Sequence, residues 1–315
     1  MIAQPIPTAT RLAIIEESDA NAPRPLWRAH TVALSTGGDA HGDFAAESLA
    51  LKLEDVRPGS LYFAKGEPDG AAAFKRGAAG MVSTVPVNAP HVLVADRDAA
   101  LTRLAAAARN RARATIIALA GFDTRPDIPG ALHGALGQAS RGLAWSADMD
   151  HGLEAGLAGM AADRSYALFG LDGVTNVAPL RPHMMVGGPA LESELGCRIA
   201  ATLGEGGAAV LPADHCDFAR WRATALDNGA QVYGFGRKAS ADIRLLDTVA
   251  VAGGALLITA ELMGTRLCYS LPHGGIGASA SLSIFGAMRA AGASLGAAAL
   301  ALSGSCRDEA IAATG

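Results

Sequence analysis

The chain has 315 residues, half of them hydrophobic, which is enough to bury a large core and predicts two domains. Its formal charge of -4 argues against a nucleic-acid partner held by backbone charge. The N-terminus has no basic segment followed by an apolar run, and the most apolar stretches, 249–260 and 295–303, are too short to span a bilayer. Cys197, Cys216, Cys268 and Cys306 show no C-x-x-C spacing. We therefore expect a soluble cytoplasmic protein with reduced thiols, bound to neither membrane nor nucleic acid.

In chain order, short strand-like runs come first: 60–64, 80–83 and 91–95. An Ala/Leu/Arg helix from about 98 to 113 closes this section, and Arg103, Arg109, Arg111 and Arg113 cluster where it ends. A solvated helix face with cations near its C-terminus accounts for that cluster. Beyond it, apolar runs at 116–120, 166–171, 183–186, 208–211 and 231–235 alternate with helical stretches. Continuous apolar strands separated by helices predict a mostly parallel sheet covered on both faces. Runs at 243–251 and 255–261 flank Gly253-Gly254 and read as an antiparallel hairpin, which 266–271 extends. The tail from 279 to about 302 reads as one long Ala-rich helix. The fold class is α/β: a small mixed domain over 1–113, then a larger domain over 114–315 with an added antiparallel hairpin.

The chemistry-bearing candidates are few. The strand ending at Gly121 leads into a predicted helix near Asp127, where an ATP-binding loop would sit in an α/β domain. Such a loop needs a second glycine, a lysine for the phosphates and a Ser or Thr hydroxyl for Mg²⁺. Here the three positions read Thr124, Arg125 and Pro126. Threonine resists the positive φ that glycine supplies, proline has neither hydroxyl nor N–H, and arginine presents a planar fork. The stretch 272–281 is glycine-rich and opens a helix, so its N–H groups could hold an anion, though a hairpin-to-helix connector needs no ligand. Asp148-Met-Asp-His151 reads as loop or capping residues rather than a cation site, and Cys216 in His215-Cys216-Asp217 as packing rather than a nucleophile.

In order, the motifs resemble the first two domains of the Mur ligases, ATP-dependent enzymes that add amino acids to UDP-N-acetylmuramic acid. The strongest piece is Val56-Arg-Pro-Gly-Ser-Leu-Tyr-Phe-Ala-Lys-Gly66, then Asp69-Gly70, then Arg76-Gly-Ala-Ala-Gly-Met-Val82. The turn at Gly121, Tyr166-Ala-Leu-Phe-Gly-Leu171, Leu180-Arg-Pro-His-Met-Met-Val186, Ala208-Ala-Val-Leu-Pro-Ala-Asp-His215 and Val232-Tyr-Gly-Phe-Gly236 with Asp242 continue the series. The resemblance implies that Gly121 begins a decayed nucleotide loop. It also implies that the ligase chemistry is gone. The metal-binding glutamate falls on Gly170, with Asp172 two residues off register, and the carbamylated lysine falls near Gly196. The asparagine after the 208–211 strand is Pro212, and the adenine-contacting opening of the last helix reads Gly277-Ala-Ser-Ala-Ser281. The first-domain residues that help hold the UDP moiety read Lys52-Leu53-Glu54.

We accordingly expect a non-catalytic protein of this type, with the C-terminal ligase domain absent, no catalytic residue, no cofactor and no metal. Its candidate ligand-binding residues are Gly121, Thr124, Arg125, Gly277 and Ser279. The expected partner is a second copy or a pathway enzyme, because the last helix is apolar on several faces. The alternatives are an amide ligase adding an amino acid such as glutamate to a cell-wall or cofactor precursor, and a small-anion binding module.

Overall fold

The computed structural model describes residues 24–64, 67–122, 127–251, 253–273 and 276–304. Two sheets are built in chain order. The first section contains β1 (Trp27–Arg28), α1 (Ala29–Thr36), β2 (Asp39–His41), β3 (Ala45–Ala46), β4 (Ser48–Ala50), β5 (Ser60–Phe63), α2 (Glu67–Lys75), β6 (Gly80–Ser83) and β7 (His91–Leu93). Its five-stranded sheet runs β2-β7-β6-β5-β4, parallel except for the antiparallel edge strand β2, while β1 and β3 pair separately. Helix α3 (Arg97–Arg111) follows, and the Asp96 side chain caps it by accepting from the Ala99 N–H at 2.8 Å.

The second section contains β8 (Thr115–Ala120), α4 (Asp127–Ala139), β9 (Ala144–Ser146), α5 (Leu153–Ala158), β10 (Tyr166–Gly170), β11 (Met184–Gly187), α6 (Ser193–Ala201), β12 (Ala208–Pro212), α7 (Phe218–Asp227) and β13 (Gln231–Gly236). It ends with β14 (Ile243–Ala250), β15 (Leu256–Leu262), β16 (Thr265–Leu271), α8 (Ala278–Ala290) and α9 (Leu295–Gly304). The nine-stranded sheet has the order β16-β15-β14-β13-β12-β11-β8-β10-β9. Strands from β9 to β14 pair in parallel, and β15 and β16 add the antiparallel hairpin expected around Gly253-Gly254.

Both faces of β8 are covered, which is why its residues read as a continuous apolar run. Ile117 and Leu119 face α4, α8 and α9, while Ile116, Ala118 and Ala120 face the layer of α5, α6 and α7. Fully burying each of the two isoleucines contributes about 1.5–3 kcal/mol. Helices α3 and α5 pack through small residues: Ala108 shares a core with Ala155 and Ala158, and Ala105 joins the core on the far side. Across this seam the Trp27 Nε1–H donates to the Ala158 carbonyl at 2.8 Å. Among the described residues, no helix is long and apolar enough to cross a membrane.

Two expectations need correction. The tail is two helices, because Gly292 takes φ 66 after α8 and the Ala293 N–H returns to the Met288 carbonyl at 2.8 Å. A left-handed residue of this kind is a usual helix terminator. The arginine cluster is only partly a solvated face: Arg103 and Arg113 are exposed, but the other two are drawn into the fold. Arg109 is buried, its Nε donating to the Leu180 carbonyl at 2.6 Å and its Nη2 to the Arg181 carbonyl at 2.5 Å. Arg103 donates to the Thr36 carbonyl, and Arg111 lies over the Trp27 ring at 3.7 Å.

Candidate functional site

The turn after β8 is built around Gly121, which has φ 81. A Cβ there would stand 2.3 Å from the Leu191 nitrogen, so glycine is required both by conformation and by the loop after β11. That loop is tied to the turn by the Gly188 N–H on the Ala120 carbonyl (2.7 Å) and the Ala190 N–H on the Gly121 carbonyl (3.2 Å). Thr124 and Arg125 lie outside the described residues.

A carboxylate closes the turn. Asp172, just past β10, accepts the Gly121 N–H on Oδ1 at 2.6 Å and the Phe122 N–H on Oδ2 at 3.3 Å. Backbone N–H groups at a strand-to-helix turn are the donors an anion would use. Here two of them hold a side-chain anion, which both fills their hydrogen-bonding capacity and repels a phosphate. Beside this turn lies a cavity of about 300 Å³ walled mainly by Leu119, Phe122, Pro129, Met149 and Leu168, with Asp172 at its polar side. Gly170 also lines it, and a Cβ at that position would meet nothing within 4 Å. The strand end is therefore open in space but offers no carboxylate.

At Gly196 the position is filled instead of open. A Cβ there would come within 2.4 Å of Trp221 Nε1. The indole is fully buried, donates to the Ser193 carbonyl at 2.9 Å and stacks on His215 with ring centres 4.5 Å apart. No side chain of lysine size fits between α6 and α7 without displacing it. Taken together, Asp172 in the turn, the missing carboxylate at 170 and the indole against 196 do not fit the Mg²⁺ and ATP phosphates that such a loop would carry.

Gly277 and Ser279 do not line the cavity beside Gly121. They line a different cavity of about 390 Å³, with Pro189, Pro212, Asp214, His215 and Phe235, at the start of α8. Gly277 is the residue preceding α8 and has no side-chain cap. Asp214 accepts the Arg237 and Lys238 N–H groups at 2.8 and 3.1 Å. Asp242 accepts the Gly234 N–H at 2.8 Å and so ties the end of β13 to the start of β14.

His215, Cys216 and Asp217 are the only described group of three close ligand-type side chains. His215 Nδ1 accepts the Asp217 N–H at 3.1 Å, which fixes the ring through its own backbone. Cys216 is exposed, contrary to the packing role expected for it, and its Sγ is 3.7 Å from both His215 Nδ1 and Asp217 Oδ2. In the other acidic segment Asp148 accepts the Asp150 N–H at 3.0 Å, a turn as expected. His151 does something the sequence did not reveal: its Nε2 meets Asp55 Oδ2 at 2.8 Å, joining the two sheets.

No protein-family profile and no curated protein sequence matches this chain. Among solved structures, it is similar to the UDP-N-acetylmuramoylalanyl-D-glutamyl-2,6-diaminopimelate--D-alanyl-D-alanyl ligase from Acinetobacter baumannii. The TM-score is 0.72 at 18% identity, over 88% of this chain and 68% of that one. A second crystal structure of MurF from that organism gives 0.72 at 17% identity, covering 88% and 67%. MurF from Thermotoga maritima in complex with ADP gives 0.59 at 16%, covering 80% and 65%. The architecture of this chain is that of the Mur ligases.

Proposed function

We propose that this protein is a non-catalytic Mur-ligase-like protein that acts as a structural or regulatory partner in a biosynthetic complex. In it, residues 1–113 serve as the N-terminal domain and 114–315 as a central domain that no longer handles ATP. One observation carries this reading: the Asp172 carboxylate holds the Gly121 and Phe122 N–H groups that a nucleotide phosphate would need. Phosphoryl transfer depends on positioning and on cations that neutralise developing charge. A carboxylate at the loop reverses that electrostatic sense, and loss of even one stabilising group of this kind is worth about 3–4 kcal/mol of barrier. The buried Trp221 supports the same reading, because it fills the space a lysine at 196 would need.

Titration calorimetry of the pure protein with ATP and Mg²⁺ tests the loss of nucleotide chemistry. No saturable heat is expected at millimolar ATP, and micromolar binding would overturn the proposal. Affinity capture from the native host tests the partner role, with a recurrent protein partner or a second copy as the expected result.

A second reading, a binding module for a small anionic ligand, is favoured by the 390 Å³ cavity at the start of α8. It retains apolar walls of Pro189, Pro212 and Phe235 beside Gly277 and Ser279. Thermal-shift screening with nucleotides, sugar nucleotides and pterin-like compounds separates the two, since only the second predicts a stabilising ligand blocked by Ser279→Trp.

A further inference from the structure

The largest of the cavities described lies at the opposite end of β8 from the Gly121 turn. It has a volume of about 570 Å³ and is walled by Arg24, Arg111, Arg113 and Arg164, with Pro25, Leu26, Ala161 and Ala162 between them. Among the described lining residues the one carboxylate, Asp163, is over half exposed and stands 3.7 Å from Arg164 Nε. Among the described residues, four arginines thus line a space with one weakly engaged acid.

Arg111 shows how this charge is held. Its guanidinium sits over the Trp27 indole at 3.7 Å, and Trp27 is itself pinned to the Ala158 carbonyl. Arg111 Nη2 reaches the Met160 carbonyl at 3.4 Å, while its buried Nε has no hydrogen-bond partner among the described residues. Arg164 Nε is likewise buried without one. Among the described residues Arg111 has no carboxylate partner, and burial pulls its pKa below the ordinary arginine value. A desolvated cation without a counter-charge is costly, and bringing several together around one space adds repulsion. Both costs are relieved by an anion placed in that space. The planar forks of arginine match phosphate oxygens in pairs, and a ring-stacked guanidinium is already oriented to do so.

We propose that this cavity binds a small phosphorylated molecule, a phosphomonoester or diphosphate, with its phosphate on Arg111, Arg113 and Arg164. A group bearing two or more negative charges answers this excess of cations better than a single carboxylate does. The volume falls within the range for small-ligand sites, so Pro25, Leu26, Ala161 and Ala162 have room to take the rest of the molecule. None of the lining residues is shared with the cavity beside Gly121. The site lies where the α3–α5 seam joins the two sheets, so occupancy would tie their packing to a ligand and give a regulatory protein something to sense.

Titration of the full chain with inorganic pyrophosphate tests this, with Arg113→Gln/Arg164→Gln as the diagnostic variant because neither side chain is fully buried. Saturable binding is expected, weakened at least about tenfold in the double variant, or roughly 1.4 kcal/mol. Arg222→Gln, an exposed arginine on α7, should leave it unchanged. No binding at millimolar pyrophosphate, or equal loss in Arg222→Gln, would overturn the proposal. So would binding that emerges only in Glu16→Gln/Glu17→Gln/Asp19→Asn, which would make the chain's own acidic residues the occupant. Because ATP binding is read separately, failure here leaves the assignment of the Gly121 turn standing.

Discussion

Strand β8 joins two regions with opposite electrostatics. At its C-terminal end the chain turns at Gly121, and the turn's N–H groups are held by the carboxylate of Asp172. At its N-terminal end the strand follows a helix whose last turn and flanking residues supply Arg109, Arg111 and Arg113. In open α/β sheets, ligands bind outside the carboxyl ends of the strands, where helix N-termini favour anions. Here that end carries its own anion, and the opposite end carries an excess of cations among the described residues. The backbone that positions a site therefore does not determine the charge of the site; a few side chains do, and they can invert it while the sheet stays intact.

The contrast can be broken most severely at the closed end. Gly121→Ala forces a Cβ into the Leu191 backbone at a positive φ, and should destabilise the fold by about 3 kcal/mol or more. Urea unfolding checks this, and a midpoint close to the parent's would mean that the turn relaxes freely. At the basic end, Trp27→Ala removes a buried indole, its hydrogen bond to Ala158 and the platform under Arg111. The expected loss is again about 3 kcal/mol, from the cost of deleting large core side chains. The same denaturation series should show Trp27→Phe, which keeps a ring under Arg111, recovering part of it.

Asp172→Ala sharpens the comparison more gently. It leaves the N–H groups of the buried Gly121 and Phe122 without their partner and should cost about 1–3 kcal/mol. Asp172→Asn should cost less, since the amide oxygen can keep one of the two bonds. The smallest effect is a pH dependence at the basic end. His183 Nδ1 accepts the Ile116 N–H at 2.9 Å, so the neutral ring carries its proton on Nε2, 3.4 Å from Arg109. Desolvation, and secondarily the Arg109 charge, lowers its pKa below the ordinary 6.5. The unfolded chain then binds the proton more readily, so stability is fully present above about pH 6.5 and falls as pH drops below it. The ring is partly solvated, so the slope is shallow, and His183→Asn should flatten it in chemical denaturation at pH 5 to 7.

The central strands β8, β10, β11 and β12 were legible because each is buried on both faces and reads as a continuous apolar run. Ile116 to Ala120 and Ala208 to Leu211 are the plainest cases. The two-residue strands β1 and β3 carry no period that could reveal them. The break between α8 and α9 was signalled by Gly292 followed by Ser294, a helix stop and start hidden within alanines. The site was harder to see. Asp172 reaches Gly121 across 51 residues, and Arg109 reaches Leu180 across 71, so neither contact leaves a local pattern. Arg109 and Arg111 read as solvated because arginine usually is, and only the fold shows Trp27 beneath one and two carbonyls around the other.

The contact between Gly196 and Trp221 also limits which residue pairs this fold can hold at those positions. A long side chain at 196 and an indole at 221 are mutually exclusive, since the first Cβ would already overlap the ring. Shrinking the tryptophan first would empty a fully buried space, at about 3–5 kcal/mol; enlarging the glycine first would split α6 from α7. Each single step is penalised in the presence of the other's original residue. The two positions are coupled: a long side chain at 196 can be accommodated only together with a smaller residue at 221.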